Sequence, residues 1–184
     1  MFELSILRQG WLPGSDVRAD QCSHGALRLV IGGQVIEDGS GDFGISESAL
    51  GLLRTLDHDF LPTAEDLLIL HGCGAILMLG CHLGITWSVR HHPGATRISD
   101  VRRHETPSGE PVTTFPGLSL DVARQEYEAV IVRFALTARR LFEESPTKTE
   151  FVDSWDREQY RDFWREYDAL LLQHGTKPER SLSA

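Results

Sequence analysis

The sequence is short of positive charge. Its 184 residues include 18 lysine and arginine side chains against 27 aspartate and glutamate side chains, which gives a formal net charge of -9. A protein that binds duplex nucleic acid by neutralising phosphates needs the opposite balance. The composition therefore predicts no nucleic-acid partner.

Long hydrophobic runs are missing as well. The longest apolar stretches, Leu67 to Leu70 and Ala75 to Leu79, have the length of strands and are far too short to cross a bilayer. The first residues, Met1 to Leu4, contain neither the basic segment nor the long apolar segment of a secretory signal. We therefore expect no membrane partner and no secretion.

Cysteine is scarce, and recognisable catalytic signatures are missing. The three cysteines are Cys22, Cys73 and Cys81. An odd number of cysteines in a chain of this length is typical of reduced thiols, so we expect a cytoplasmic protein. The chain has no G-x-S-x-G nucleophile motif and no phosphate-binding loop with its Lys-Ser/Thr pair. These absences favour a non-enzymatic role and predict no dedicated cofactor. Zinc is the one metal that a Cys/His cluster could bind.

The hydrophobic pattern predicts an α+β fold. Strands are predicted over residues 2–7, 26–31, 34–37, 67–71, 75–79, 85–91 and 95–101. Helices are predicted from the N-cap Ser46 to Phe60, ahead of Pro62, and over residues 121–142 and 153–175. This order is typical of a mainly antiparallel sheet of about six to seven strands, packed by one central helix and two C-terminal helices. We expect a single domain over residues 1–184, with a sheet-rich part at 1–118 and a helical part at 119–184.

The acidic excess lies mostly in the first third of the chain, where residues 1–66 contain 4 basic and 11 acidic side chains. Asp16, Asp20, Asp38 and Asp42 fall in predicted loops of this part. They could form an acidic surface that recruits a basic protein, because complementary potentials steer association. The alternative is a solvated surface that keeps the protein soluble.

The last predicted helix is unusually aromatic. Five large rings fall within 13 positions, namely Trp155, Tyr160, Phe163, Trp164 and Tyr167. They cannot all face one core stripe, so Trp155 and Trp164 are candidates for a partner contact or a homodimer contact. The alternative is a helix that packs on two elements and buries nearly all of these rings.

Histidine and cysteine cluster in the predicted meander of strands. If the turns at 72–74 and 92–94 share one end of the sheet, then His71, Cys73, His91 and His92 could converge on a zinc ion. The spacing lacks the C-x₂-C pair of well-defined zinc sites. The alternative is a buried cysteine with ordinary histidines at the end of a sheet.

Basic residues also gather on the third and fourth strands of the meander. Arg90, His92 and Arg97 could bind a carboxylate or a phosphate. The alternative is a polar sheet face whose arginines pair with local acids.

A resemblance points in the same direction as the acidic surface. The segment from Ile45 to Asp100 contains Ile-Ser-Glu-Ser-Ala-Leu-Gly-Leu-Leu-Arg-Thr-Leu, His-Gly-Cys-Gly and Trp-Ser-Val-Arg-His. It resembles small uncharacterised bacterial proteins from GC-rich genomes. In size, acidity and layout the chain is also similar to immunity proteins of polymorphic toxin systems. That resemblance implies a protein that neutralises a cognate toxin by binding it, often through an acidic face set against a basic nuclease.

Two hypotheses of different classes follow. The first is a cytoplasmic protein-binding protein, such as an immunity protein, that contacts a basic toxin through its acidic loops or its aromatic helix. The second is a small enzyme or metal-binding domain centred on His71, Cys73, His91 and His92.

Overall fold

The chain folds into two antiparallel sheets and three helices. The computed structural model describes residues 1–63, 66–72, 82–106, 108 and 112–175. Within these residues one sheet has four strands and the other has five, so the predicted α+β class is confirmed. The strands divide between two sheets rather than forming the one sheet of about six to seven strands that the pattern predicted.

The first sheet is built around a central strand. Its members are β1 (Phe2–Gly10), β2 (His24–Ile31), β3 (Gln34–Asp38) and β4 (Phe43–Gly44). β2 pairs with β1 on one side and with β3 and β4 on the other. The β2–β3 turn is the Gly32-Gly33 pair between two predicted strands, with φ of 61° and 88°. Glycine adopts such positive φ values at no steric cost, which is why this pair makes a tight hairpin.

The second sheet contains the histidine-rich part of the chain. Its strands are β5 (Ile69–Leu70), β6 (Gly84–His92), β7 (Ala95–His104), β8 (Val112–Thr114) and β9 (Leu120–Ala123). The β6–β7 hairpin turns at Pro93-Gly94, as predicted, with Gly94 at φ 78°. The strand predicted at 75–79 lies outside the described residues. In the described part β5 pairs directly with β6.

The first helix is shorter than predicted. α1 spans Ile45–Arg54, and its N-cap is Gly44, so the prediction of Ser46 as the cap is wrong. Ser46 is buried in the first turn, where its hydroxyl accepts the backbone N–H of Ser23 at 3.0 Å. Phe60 does not continue the helix because its backbone pairs with Val89 of β6, with N–H···O distances of 2.8 and 2.7 Å.

Two long helices complete the fold. α2 spans Arg124–Glu143 and α3 spans Ser154–Gly175. The predicted start of α2 near Asp121 is wrong because residues 120–123 form β9, which pairs with the first half of β7. α2 packs on α1 and β1, and α3 packs on both other helices. No helix in the described ranges is long and apolar enough to cross a membrane.

The core joins all these layers. Its largest fully buried side chains come from β6, α2 and α3 and are Trp87, Tyr127, Phe134 and Tyr167. Arg103 of β7 also links the two sheets directly. Its Nη1 lies 3.0 Å from the buried Glu37 carboxylate of β3 and donates to the Ile36 carbonyl at 3.2 Å.

Candidate functional site

Three of the four predicted surface aspartates are solvent-exposed, and two of these pair with arginines. Asp16 lies 2.6 Å from Arg18, whose hydrogen bonds lower the pKa of Asp16 to about 2. Asp42 lies 3.2 Å from Arg8. Asp38 accepts the backbone N–H of Ser40 at 3.2 Å, and the hydrogen bonds from Ser40 lower its pKa. Local arginines therefore offset part of the acidic surface.

Asp20 does not belong to that surface. It is only 3% exposed, whereas the sequence pattern placed it on an acidic surface. Its Oδ2 accepts the backbone N–H of Leu12 at 2.7 Å, and its Oδ1 lies 3.2 Å from His24 Nε2. The loop and the start of β2 therefore supply a partner for each oxygen of this buried side chain.

Cys22 completes a buried cluster with Asp20 and His24. The thiol is fully buried, and its Sγ lies 3.8 Å from the same His24 Nε2 that faces Asp20. One ligand atom from each of the three residues lies within 4.8 Å of the other two. We call these three residues the buried triad.

A buried lysine lies beside the buried triad. Lys148 is 6% exposed, its Nζ donates to the Val17 carbonyl, and it lies 3.2 Å from the centroid of the Trp11 ring. Burial lowers the pKa of Lys148 to about 8, while Asp20 and Cys22 oppose that fall. The lysine is therefore close enough to the triad to interact with its charges.

The aromatic residues of α3 divide between core and surface. Trp164 is 8% exposed, packs 4.4 Å from the Phe142 ring and has the Arg139 guanidinium 4.4 Å above its own ring. Trp164 is therefore mostly buried, whereas a candidate for a partner contact was expected to be exposed. Trp155, by contrast, is 64% exposed.

An open groove runs along the N-terminal half of α3. Its volume is about 560 Å³, and it is lined by Lys148, Thr149, Phe151, Arg157, Tyr160, Arg161 and Trp164. We call it the α3 groove. Three aromatic rings line it together with three cations, and Arg157 stacks 5.6 Å from the Phe151 ring.

The predicted anion patch contains an acid. Arg90 and Arg97 are cross-strand neighbours on β6 and β7, and both are exposed. Asp121 of β9 binds Arg97 through both carboxylate oxygens, at 2.9 and 2.8 Å. That pair and His92 lower the pKa of Asp121. The Asp121 charge therefore offsets part of the positive field that an anion would need.

The predicted zinc ligands His71 and His91 lie far apart. The N–H of His71 donates to the Leu83 carbonyl, just before β6 begins. His91 and His92 lie at the other end of β6, about seven residues or ~23 Å away at ~3.3 Å per residue. One ion cannot bridge that distance. Cys73 lies outside the described residues.

His91 instead borders a small polar cavity. The cavity has a volume of about 40 Å³, enough for one water molecule, and is lined by Leu56, His91, Arg124, Tyr127, Glu128 and His174. His174 Nδ1 lies 2.9 Å from Glu128, and its Nε2 lies 3.2 Å from Asp57. The cavity is too small for an organic substrate.

A glycine-rich loop leads into α1 with the spacing Gly39-x-Gly41-x-x-Gly44. Such loops bind phosphate through free backbone amides. Here the amides of Gly39 and Gly41 both donate to Glu37 Oε1, each at 3.0 Å. An internal carboxylate therefore occupies the position that a phosphate would take.

Comparison of the chain with protein-family models, curated proteins and solved structures found no match. Function is therefore inferred from the geometry.

Two features of the site were not expected from the sequence. The Asp20-x-Cys22-x-His24 spacing is visible in the sequence and could have been recognised as three ligands on alternate residues. Lys148 carried no such signal, because 124 positions separate it from His24 and only the folded chain brings it near.

Proposed function

We propose that this protein acts by binding another protein and that the N-terminal end of α3 makes the contact. The exposure of two apolar side chains carries the proposal: Trp155 is 64% exposed and Val152 is 93% exposed. Exposed tryptophans are costly in water, and tryptophan is among the residues that most often dominate protein–protein affinity.

The surface next to Trp155 provides a shape for a partner to fill. The same half of α3 forms a wall of the α3 groove. The linker before α3 lies against the loop that contains Asp16, because the N–H groups of Thr149 and Glu150 both donate to the Arg18 carbonyl, at 3.1 and 3.2 Å. The proposed contact surface therefore extends from this loop to α3.

The exposed acids around Trp155 favour a basic partner there, while the adjacent α3 groove contributes three cations. Asp153 and Glu158 are exposed and lie two positions before and three positions after Trp155, and Glu150 is exposed in the linker. Acids around an aromatic anchor complement a basic surface, and the net charge of -9 strengthens long-range attraction. These observations support a more specific form of the proposal, in which the protein is an immunity protein and its partner is a basic toxin.

Substitutions at Trp155 test the contact. Trp155→Glu should weaken binding to the basic partner about 30-fold or more, which corresponds to the ~2 kcal/mol typical of an anchor residue. Trp155→Phe should retain most of the affinity. Leu136→Glu is the matched control, because Leu136 is also exposed, at 45%, but lies on α2 rather than at the N-terminal end of α3.

The measurement has two parts. A photo-crosslinking amino acid at position 155 should form discrete adducts with another protein in the native cell, whereas the same group at position 136 should not. Co-expression with the product of the neighbouring gene should then rescue growth for wild type and Trp155→Phe but not for Trp155→Glu. Absence of adducts at 155 contradicts protein binding through this surface, and a neighbouring gene whose product is harmless contradicts the toxin partner alone.

A further inference from the structure

The buried triad brings three different metal-binding groups together at the entrance to β2. Asp20, Cys22 and His24 occupy alternate positions, and their carboxylate, thiol and imidazole ligand atoms lie within 4.8 Å of one another. All three side chains are buried. A carboxylate, a thiolate and an imidazole together form a donor set that suits Zn²⁺.

Two of the three distances within the triad are close to the edges of a zinc tetrahedron. With bonds of about 2.3 Å to sulfur and about 2.0 to 2.2 Å to nitrogen and oxygen, a tetrahedral ion separates its N and O ligands by ~3.4 Å and its S and N ligands by ~3.6 Å. The corresponding separations are 3.2 Å between His24 Nε2 and Asp20 Oδ1 and 3.8 Å between His24 Nε2 and Cys22 Sγ. Along these two edges the ligand atoms would move only a few tenths of an ångström to bind the ion, and the third pair, Asp20 and Cys22, lies within 4.8 Å.

The surroundings of the triad resemble those of built metal sites. Metal-binding carboxylates are usually held by a further hydrogen bond, and the N–H of Leu12 donates to Asp20 Oδ2 at 2.7 Å, which leaves Oδ1 turned towards His24. The backbone of Gly72 lies close to the other side of the His24 ring, where an added Cβ would lie 3.0 Å from His24 Nδ1. The ligands are therefore positioned before any ion binds.

We propose that Asp20, Cys22 and His24 bind one zinc ion, with the fourth tetrahedral position left to a ligand outside this set. Binding converts the Cys22 thiol to a thiolate and releases its proton. The proton between His24 Nε2 and Asp20 moves to Nδ1 or is also released, so that the metal takes the lone pair of Nε2. The two anionic ligands offset the dication, and the Lys148 ammonium lies beside them. Because the triad is buried, zinc enters while the chain folds.

Cobalt substitution of the full-length protein tests the site. The protein is unfolded in denaturant that contains a chelator. After removal of the chelator it is refolded with one equivalent of Co²⁺ or Zn²⁺, and excess metal is then removed. We expect one bound metal per chain, a thiolate-to-cobalt charge-transfer band, and a melting temperature that rises with Zn²⁺. The band should persist in Cys73→Ser/Cys81→Ser, where Cys22 is the only thiol left.

Single substitutions assign the ligands. Cys22→Ser should abolish the charge-transfer band, and Asp20→Asn and His24→Gln should each weaken metal binding at least tenfold. Asp16→Asn and His58→Gln, at exposed positions, are the matched controls and should bind as wild type does.

Three results would overturn the proposal: substoichiometric metal after refolding, a band lost in the Cys73/Cys81 double variant, or a band retained in folded Cys22→Ser. Should the triad variants fail to fold, the wild-type protein and the double variant decide the question. The partner-binding proposal is unaffected by any of these results, because it depends on Trp155.

Discussion

At the scale of single residues, burial changes the ionisation of Lys148. The chain has only two lysines, and burial lowers the pKa of this one from 10.5 to about 8. Between those two values the unfolded chain retains a proton that the folded chain has released. The free energy of unfolding therefore rises with pH over this interval, and below it the contribution of Lys148 does not change with pH.

We predict that the free energy of unfolding increases by about 1 to 3 kcal/mol between pH 7.5 and 9.5. The upper limit of pH ~9.5 avoids the ionisation of tyrosines in the unfolded chain. Burial raises the pKa values of Tyr127 and Tyr167 in the folded chain, so their ionisation at higher pH would lower the free energy of unfolding and oppose the effect of Lys148. Urea unfolding at a series of pH values measures the slope. Lys148→Met should remove it and Lys177→Met should keep it; equal slopes in both variants would refute the assignment.

The aspartates of the first loop show why residue roles were only partly predictable. Asp16 and Asp20 have the same chemistry and similar neighbours in sequence, yet one is exposed and the other is 3% exposed. The difference depends on the partners of Asp20. His24, at the start of β2, contacts one carboxyl oxygen, and the backbone N–H of Leu12, in the loop, donates to the other. Composition counts both aspartates as surface charge, because burial depends on packing that a local pattern does not contain.

At the scale of elements, β7 carries an irregularity at Asp100. Asp100 has φ 54°, and the β6–β7 register shifts beside it, with Thr86 paired to Arg102 and Ser88 to Ser99. This is a β-bulge in which an extra residue of β7 adopts the left-handed conformation. Aspartate tolerates that conformation better than most residues, and a β-branched residue tolerates it poorly.

We predict that Asp100→Val lowers the free energy of unfolding by about 1 to 2 kcal/mol, whereas Asp100→Gly changes it by less than about 0.5 kcal/mol. Ser99→Val, at the neighbouring position with ordinary backbone angles, should have a small effect. Chemical denaturation of the three variants provides the comparison. If Asp100→Val is as stable as Ser99→Val, the backbone at this bulge does not impose the expected strain.

The predicted helix boundaries were wrong where the same residues pair with a strand instead. Phe60 lies at helical spacing from Leu56 and Leu53, but its backbone pairs with Val89 instead. Residues 120–123 precede a strong helical stripe, yet they pair with β7. In both places a distant strand satisfies the backbone hydrogen bonds, and local periodicity does not include that partner. The β2–β3 and β6–β7 hairpins were predictable because their turns are local in sequence.

At the scale of the whole molecule, Arg103 joins the two sheets. Its guanidinium is 27% exposed, and it pairs at 3.0 Å with the Glu37 side chain, which is fully buried. The same carboxylate organises the loop after β3, because it accepts the N–H groups of Gly39 and Gly41. Removal of the arginine leaves a buried charge without its cation, which is a costly change.

We predict that Arg103→Met lowers the free energy of unfolding by about 2 to 4 kcal/mol. Arg8→Met is the matched control, since Arg8 is 66% exposed and pairs with the exposed Asp42, and its effect should be below about 1 kcal/mol. Thermal and urea unfolding measure both. Equal losses in the two variants would mean that the Arg103–Glu37 pair does not connect the sheets energetically.

The division into two sheets was beyond the sequence pattern. Alternation identifies strands and shows which face of each is buried, as it does for β1 with Phe2 and Leu4 in the core. It does not say which strands pair, because that depends on contacts between residues far apart in the chain. The buried triad illustrates the same limit: its spacing is local, but its burial beside Lys148 is not.

Arg103 also has a consequence for the solubility of the folded chain. β3 is an edge strand, and Ile36 lies where the pairing of β3 with β2 shifts register. The Ile36 carbonyl accepts a hydrogen bond from Arg103 rather than from a neighbouring strand. An intruding strand from another molecule needs an uninterrupted row of free backbone groups. The bulge and the guanidinium interrupt that row, so the arginine protects this edge against strand addition and the aggregation that follows it.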